Sequence, residues 1–407
     1  MKHTIQIISI LSAAAMTLTA CGKSDKNKDS NAAQADKWRI VSVYECADYD
    51  NNICFSTQEN SRLDFVDMTT LEDSPVCDDP SCKHREGSDC TAYGKDNHPF
   101  IYNKRLYYLK SSDIITKDDG TYTTNTMMFC SDINGANEKQ VAEIDGLSYN
   151  DYDRMAIVGS TAYLVMTNQP YDKDFKELEP SLELVSVALD SGKVNNIGEV
   201  TKGYSCGAWV YGLWDNKLIF RTSKAADDRP FMERLQNFAD KNGLSESEAI
   251  EQYNDKAEYD YQYLSYDISS GKVEKNAMPE PSAISDNCYY NVKDDKPCYL
   301  DKSGKEQTIE GIDDGTNVTN IATINGYALI DSENSQYLFK ESDKTTSKLT
   351  DTYDIAAIKG DQVIIRTGGT PAYEKKAVRN WRTQNEPHPN KPHQTIRQLH
   401  CPSKLQL

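Results

Sequence analysis

Three cysteines and one histidine form the most concentrated set of metal-binding side chains in the sequence: Cys77, Cys82, His84 and Cys90. Thiolates and imidazole are ligands that Zn²⁺ favours, and four of them complete its tetrahedral shell. The spacings of four, one and five intervening residues differ from those of a standard zinc finger. A proline and a glycine within this segment suit the tight turns of a ligand loop. The pattern predicts a structural site for zinc or another soft metal within residues 76–93.

A disulfide loop or reduced structural thiols would also fit these residues, and the sequence leaves all three interpretations open. The chain has 11 cysteines. Setting aside Cys21 and Cys401 leaves an odd number, so at least one thiol is free or metal-bound if all the others pair. Four protein ligands would leave zinc no open position for water, which indicates structure more than catalysis. Two further pairs are local disulfide candidates: Cys46 with Cys54, and Cys288 with Cys298.

The N-terminus has the features of an export signal. A basic start at Lys2 precedes an apolar run over residues 5–18, which is too short for a membrane span of about 20 residues. Leu18-Thr-Ala-Cys21 then resembles the lipobox of bacterial lipoproteins, whose cysteine carries a diacylglyceryl anchor and becomes the new N-terminus. We therefore predict a signal peptide over 1–20, lipidation at Cys21 and a protein held on the extracytoplasmic face of the cell membrane. The alternative is a plain secretory signal.

Composition sets further limits. Residues 22–36 are polar and lack aromatics, so that 21–36 is predicted to be a flexible tether. The formal net charge of −18 argues against nucleic-acid binding, which needs an excess of Lys and Arg. Residues 371–407 differ, with seven cations and two acidic residues. We interpret 371–407 as a disordered basic tail, and a basic partner-binding segment is the alternative.

A repeated two-part unit fills residues 37–370. A turn leads into a short apolar strand, and a second strand then ends in an Asp/Ser/Gly-rich turn. Units of this kind spaced by about 40–50 residues are typical of propeller blades. The sequence therefore predicts an all-β protein, a β-propeller of about six to seven blades with the last one incomplete. A β-sandwich is the alternative. Turn-and-strand segments begin the units: 102–109, 159–166, 214–220, 324–330 and 358–365.

One segment, at about 228–256, breaks the strand pattern. Pro230 stands at a helix start, apolar residues follow at helical spacing, and Gly243 stands at the stop. Ser245 and Glu248 then form the pattern of a capping box ahead of a second helix. The segment predicts a helical hairpin inserted within a blade, either as a neutral insertion or as a lid or docking arm.

Common catalytic motifs are missing from the sequence: it has no G-x-S-x-G elbow, no phosphate-binding glycine loop and no H-E-x-x-H pair. We therefore predict a binding or scaffolding module for a protein or glycan ligand. A glycan- or peptide-active hydrolase or lyase that uses carboxylates on the same scaffold is the alternative.

The segment 77–93, downstream of the lipobox and upstream of repeats such as Asn103-Lys-Arg-Leu-Tyr-Tyr108, resembles a group of lipoproteins from gut Clostridia-type bacteria. Their repeats are similar to bacterial β-propellers likened to the low-density-lipoprotein-receptor propeller. The resemblance covers roughly residues 1–370. It implies a propeller fold and a surface location, and it implies no activity.

Overall fold

The computed structural model describes these residues: 38–41, 47–49, 53–57, 62–85, 88–95, 97–149, 154–253, 257–349, 351–359, 362–366 and 373–377. They belong to one compact unit that begins at Trp38. The predicted signal peptide, tether and lipidated Cys21 lie outside the described residues. Among the described residues, the helices are too short and too polar to cross a membrane.

The described strands form seven antiparallel sheets of three to five strands, and one separate hairpin. Strand β1 (Trp38–Val41) comes first and joins sheet 3. Sheet 1 contains β2 (Ala47–Tyr49), β3 (Ile53–Thr57), β4 (Leu63–Asp67) and β5 (Asp73–Pro75). Sheet 2 contains β6 (Phe100–Tyr102), β7 (Arg105–Ser111), β10 (Thr126–Ser131) and β11 (Lys139–Ile144), with the hairpin β8 (Ile115–Thr116) and β9 (Tyr122–Thr123) inserted. Sheet 3 adds β12 (Met155–Val158), β13 (Thr161–Asn168), β14 (Ser181–Ala188) and β15 (Val194–Lys202).

The remaining sheets follow in chain order. Sheet 4 contains β16 (Gly207–Trp214), β17 (Lys217–Ala225), β18 (Tyr259–Asp267) and β19 (Lys272–Lys275). Sheet 5 contains β20 (Ala283–Ile284), β21 (Cys288–Lys293), β22 (Lys296–Asp301) and β23 (Glu306–Thr308). Sheet 6 contains β24 (Val318–Ile324), β25 (Tyr327–Ser332), β26 (Gln336–Lys340) and β27 (Thr345–Lys348). Sheet 7 contains β28 (Asp354–Lys359), β29 (Gln362–Arg366) and β30 (Tyr373–Ala377).

Within each sheet the strands pair in chain order, apart from the added β1, so that every sheet is a meander. Two-residue turns link several neighbouring strands, and Asn103 and Lys104 (φ +47° and +59°) are one such pair. Two successive residues with positive φ form the type I′ turn that matches the twist of a hairpin. The first strands of neighbouring sheets contact one another, as β12 and β20 each do with β16. This succession is the element order of a β-propeller, as the repeats predicted.

Seven sheets lie within the predicted range of about six to seven blades, and closure of the ring stays a prediction. Sheet 7 differs at its end from the sequence interpretation. Strand β30 pairs with β29 through Tyr373 to Ala377, beyond residue 370, where the basic tail was predicted to begin. The sequence pattern missed this strand because backbone pairing at the edge of β29 needs no apolar period. Residues 378–407 lie outside the described part.

The core is divided among the spaces between sheets. Sheets 3 and 4 enclose one apolar cluster that includes Leu184, Leu218 and Phe220. Sheets 4 and 5 enclose a second that includes Trp214 and Tyr289. Because each sheet has apolar residues on both faces, it needs a neighbour on each side, which is the physical reason for the radial repeat.

Strand β1 joins distant parts of the chain. It pairs with β12, with Trp38 opposite Val158. The Arg39 guanidinium donates a hydrogen bond to the Ile101 carbonyl in sheet 2. The Trp38 indole lies 2.4 Å from the point where a side chain at Gly212 would begin, so only glycine fits there in sheet 4. Strand β1 therefore connects sheets 2, 3 and 4.

The inserted helices are present as predicted: α1 (Phe231–Asn242) and α2 (Glu246–Tyr253) lie between β17 and β18. Gly243 ends α1 with φ +64°. The Ser245 amide and hydroxyl both contact the Glu248 carboxylate, at 2.9 and 2.7 Å, and the hydroxyl in turn accepts from the Glu248 amide at 3.4 Å, so the capping box is confirmed.

Candidate metal centre

The predicted ligands lie in the connection between β5 and β6, and backbone bonds to sheet 1 fix both ends of the loop. The Val76 amide donates to the Leu63 carbonyl at 2.9 Å, and the Leu63 amide donates to the Ala92 carbonyl at the same distance. Both ends of the loop are therefore bonded to the same residue of β4, Leu63. This brings the two ends of the fourteen-residue ligand segment close together.

The structure brings all four predicted ligands together. The donor atoms of Cys77, Cys82, His84 and Cys90 all lie within 4.8 Å of one another. His84 Nδ1 lies 3.5 Å from Cys90 Sγ. Bonds of about 2.0–2.3 Å to a tetrahedral zinc ion place neighbouring donor atoms about 3.4–3.8 Å apart. The four donor atoms could therefore hold a metal if they moved closer together by at most about one ångström.

The backbone at His84 helps to place the imidazole. His84 has φ +47°, in the left-handed region that costs a non-glycine residue about 1–3 kcal/mol. The Tyr93 hydroxyl donates to the His84 carbonyl at 3.0 Å and so supports this conformation. The turn directs Nδ1 toward the thiol of Cys90.

Each thiol accepts a hydrogen bond from the backbone amide two residues later. The His84 amide lies 3.4 Å from Cys82 Sγ. The Asp79 amide donates to Cys77 and the Ala92 amide donates to Cys90. Amide donors that point at sulfur stabilise thiolate over thiol, because they favour the charged form. The loop is thus shaped to receive anionic sulfur.

The thiols of Cys77 and Cys90, the first and last cysteines of the loop, differ in acidity. Burial raises the pKa of Cys77, but hydrogen bonds from Thr91 and from the Asp79 amide outweigh it, so the pKa ends below its usual value. The pKa of Cys90 is raised to about 11, mainly by burial and also by hydrogen bonding and charge from the neighbouring thiols Cys82 and Cys77. Three thiolates this close repel one another without a cation between them, which is the electrostatic demand that a divalent metal meets.

The loop also joins sheet 1 to sheet 2. The three ligand thiols pack on an apolar cluster between these sheets that includes Leu63 and Tyr108. The Asn134 side-chain amide donates to Asp78 at 2.8 Å, and the Thr91 hydroxyl donates to the Asn134 carbonyl at 3.0 Å. The β10–β11 turn of sheet 2 therefore holds the ligand loop from the other side.

A charged network closes the C-terminal end of the loop. Glu138 accepts hydrogen bonds from Lys95 and Lys110, each at 2.8 Å, and from the Tyr108 hydroxyl. The Lys95 side chain is only 5% exposed. Burial raises the pKa of Glu138, but the bonds from Lys110, Lys95 and Tyr108 outweigh it and lower the pKa to about 2. The sequence did not reveal this network, because its members are separated by up to 43 residues.

Cys77, Cys82 and Cys90 form no disulfide bond, and neither do Cys288 and Cys298. The predicted pairing of Cys288 with Cys298 is wrong. Across β21 and β22, Cys288 lies opposite Asp301 while Cys298 lies opposite Asn291. A shift of three residues along a strand is about 10 Å, beyond the Cα separation of about 4.4–6.8 Å that a disulfide allows. Cys46 lies outside the described residues, so its pairing with Cys54 stays a prediction, as does lipidation of Cys21.

Comparisons with known proteins give resemblance at the level of the fold. No protein-family model matches this chain, and no curated protein matches its sequence. Similar solved structures include PorZ, a surface component of the type-IX secretion system of Porphyromonas gingivalis (11% identity, TM-score 0.41, 84% of this chain and 38% of that one). They also include BamB from Moraxella catarrhalis (10% identity, TM-score 0.34, 83% of this chain and 84% of that one). A third is an oligogalacturonate lyase in complex with manganese (10% identity, TM-score 0.43, 81% of this chain and 86% of that one).

This chain spans less than half the length of PorZ, and 49% of an acylaminoacyl peptidase that is also similar. The similar structures include β-propeller proteins. Likeness at this level of identity carries no information about activity.

Proposed function

We propose that this protein is a lipid-tethered, extracytoplasmic β-propeller that binds or scaffolds a protein or glycan ligand, and that a structural zinc ion occupies its Cys/His centre. We group it with the tethered propeller lipoproteins of gut Clostridia-type bacteria that its segment 77–93 resembles. The observation that carries the zinc part of the proposal is the convergence of four metal-binding side chains in the loop between sheets 1 and 2.

The donor set favours a structural metal. Three thiols and one imidazole fill a tetrahedral shell and leave no position for water or substrate. Cys77, Cys82 and Cys90 also pack on the cluster shared by the first two sheets, so a bound ion would hold the loop against both. The centre would thus stabilise the fold and leave ligand binding to other surfaces.

Three long connections support a binding role. They span residues 112–125, 169–180 and 226–258, and they follow β7 of sheet 2, β13 of sheet 3 and β17 of sheet 4. Tyr122 pairs with Tyr171 across the first two connections. The Phe231 amide donates to the Glu177 carboxylate across the second and third. Connections that meet at one end of a rigid scaffold are where binding sites concentrate.

The metal is tested by heat denaturation with and without a strong chelator. We expect the chelator to lower the melting temperature of the wild-type chain and to leave that of His84→Ala unchanged. Lys83→Ala is the matched control, since Lys83 lies between two ligands and is exposed. Equal melting curves for wild type and His84→Ala, unaffected by chelator, would overturn the zinc assignment.

The tether is tested separately by replacing the lipidation residue. Cys21→Ser should move the chain from the membrane fraction to the soluble fraction, because a diacyl anchor is lost. Continued membrane association after a high-salt wash would contradict the lipoprotein assignment.

A further inference from the structure

Sheet 4 is longer than the sheet that covers it. Strands β17 and β18 each have nine residues, whereas β21 and β22 of sheet 5 have six and β20 has two. The shared apolar cluster contains Trp214, Ile219 and Tyr289. Trp209 and Tyr263 pack on the edge of this cluster, and the end of sheet 4 toward the helical insertion extends past them.

One face of sheet 4 carries aromatic rings from the edge of this cluster to the end toward the helical insertion. Across the sheet, Trp209 lies opposite Arg221, and Arg221 lies opposite Tyr263. Residues directly opposite one another in a sheet share a face, as do residues two apart on one strand. Tyr259 and Tyr261 therefore lie on the same face, with ring centroids 6.4 Å apart. Trp209, Arg221, Tyr259, Tyr261 and Tyr263 are called the aromatic platform below.

The platform is accessible. Tyr261 is 52% exposed, in the part of β18 that β19 does not reach. Trp209, Arg221 and Tyr263 are half-buried. Large exposed apolar faces on a folded protein mark binding sites more often than chance.

A guanidinium group lies within the platform. Arg221 stacks over the Tyr261 ring at 4.7 Å from its centroid. Stacking on one face leaves the N–H groups at the guanidinium edge directed outward, in the fork geometry that matches a carboxylate. Within the described part of the chain Arg221 forms no ion pair. The nearby Glu280 carboxylate accepts a hydrogen bond from Tyr263.

We infer that the aromatic platform binds an acidic oligosaccharide, one whose sugar rings carry carboxylate groups. This inference rests on the proposed binding function and names its ligand class. Rings repeated along a strand let successive sugar rings stack on them, and Arg221 pairs with a carboxylate of the same ligand. Strand β19 pairs only with Leu264 to Asp267 of β18, so a peptide added as an extra strand would bond to the open backbone edge beside Tyr259 to Gln262. Such a peptide would not depend on Arg221, and this separates it from the acidic oligosaccharide in the test below.

The net charge of the chain does not oppose this ligand at short range. Although the protein carries a formal charge of −18, charges beyond about 10 Å are largely screened at physiological salt. Local chemistry decides, and two guanidinium groups, Arg221 and the Arg154 that stacks over Trp209, stand at the platform against the carboxylate of Glu280.

Calorimetric titration of the full chain with short oligomers of galacturonic, glucuronic and mannuronic acid tests the inference. The same oligomers with methyl-esterified carboxylates are the matched probe, because they keep the rings and lose the charge. We expect at least one uronate oligomer to bind, with Tyr261→Ala and Arg221→Gln each weakening it at least tenfold. Val292→Ala should change affinity less than twofold, since Val292 is 39% exposed on β21 of sheet 5, outside the platform and outside the three long connections.

Absence of binding by every uronate oligomer at millimolar concentration would overturn the inference, as would equal affinity in Tyr261→Ala. Equal binding of the esterified oligomers would overturn the acidic ligand class. These results are independent of membrane fractionation and metal content. A tethered, metal-bound chain that binds no uronate would therefore refute this inference and leave the tether and the zinc centre standing.

Discussion

Replacement of Glu138 by glutamine probes the network that ties the ligand loop to sheet 2. The wild-type carboxylate bridges Lys95, which is almost fully buried, and Lys110. Glutamine keeps the size of the side chain and removes its charge. Two ammonium groups then lie close together over the Tyr108 ring, without the anion that separates them. We expect the folded state to lose stability.

The pKa of Glu138 sets the magnitude and its pH dependence. A fall from the usual 4.5 to about 2 corresponds to about 3.4 kcal/mol at about 1.36 kcal/mol per pH unit. Because the side chain is 31% exposed, solvent screening reduces this to about 2 kcal/mol. A lowered pKa stabilises the folded state above pH 4.5. That contribution is lost as the pH falls toward 2.

Denaturant unfolding from pH 7 to pH 2.5 measures the effect as the difference between wild type and Glu138→Gln. The difference should be about 2 kcal/mol at neutral pH and should shrink steadily below pH 4.5. Glu306→Gln is the control: its pair with Lys293 is exposed, and such pairs contribute little. A difference that stays constant with pH, or one no larger than in the control, would refute the reasoning.

Two further predictions use matched variants. Gly192 has φ +69°, and a Cβ there would lie 1.9 Å from a carbonyl oxygen of a neighbouring strand, whereas Gly271 has φ +70° and open space around it. Denaturant unfolding should therefore show a loss of about 1–2 kcal/mol for Gly271→Ala and a clearly larger loss for Gly192→Ala; equal losses would contradict the close contact. Arg234 is 2% exposed and bonds to three groups around the helical insertion, whereas Met232 is 57% exposed. Limited proteolysis should cut the insertion faster in Arg234→Met than in wild type, and equal rates in Arg234→Met and Met232→Ala would count against this anchor.

The local parts of the fold could be predicted from the sequence because their causes are local. The turn at Asn103 and the strand after it follow from residues that tolerate positive φ next to an apolar run. The helical insertion follows from Pro230, Gly243 and the capping pair. The four ligands of the candidate centre lie within fourteen residues, so a short loop could bring them together.

The long-range parts could not be predicted, because the sequence alone does not show which segments meet. The four residues of β1 follow the tether without a motif that indicates their partners, yet Trp38 pairs with Val158 and packs on Gly212. The aromatic platform depends on the different lengths of sheets 4 and 5. Strand β30 carries one acidic and two basic residues, and its position is set by its partner β29.

We propose above all that a metal is held by four ligands between sheets 1 and 2. Elemental analysis of the chain purified without oxygen, combined with X-ray absorption at the zinc edge, tests it most directly. We predict one zinc per chain in a shell of three sulfurs and one nitrogen, and a loss of the nitrogen in His84→Ala. Protein without stoichiometric metal, or zinc in a shell that His84→Ala leaves unchanged, would contradict it.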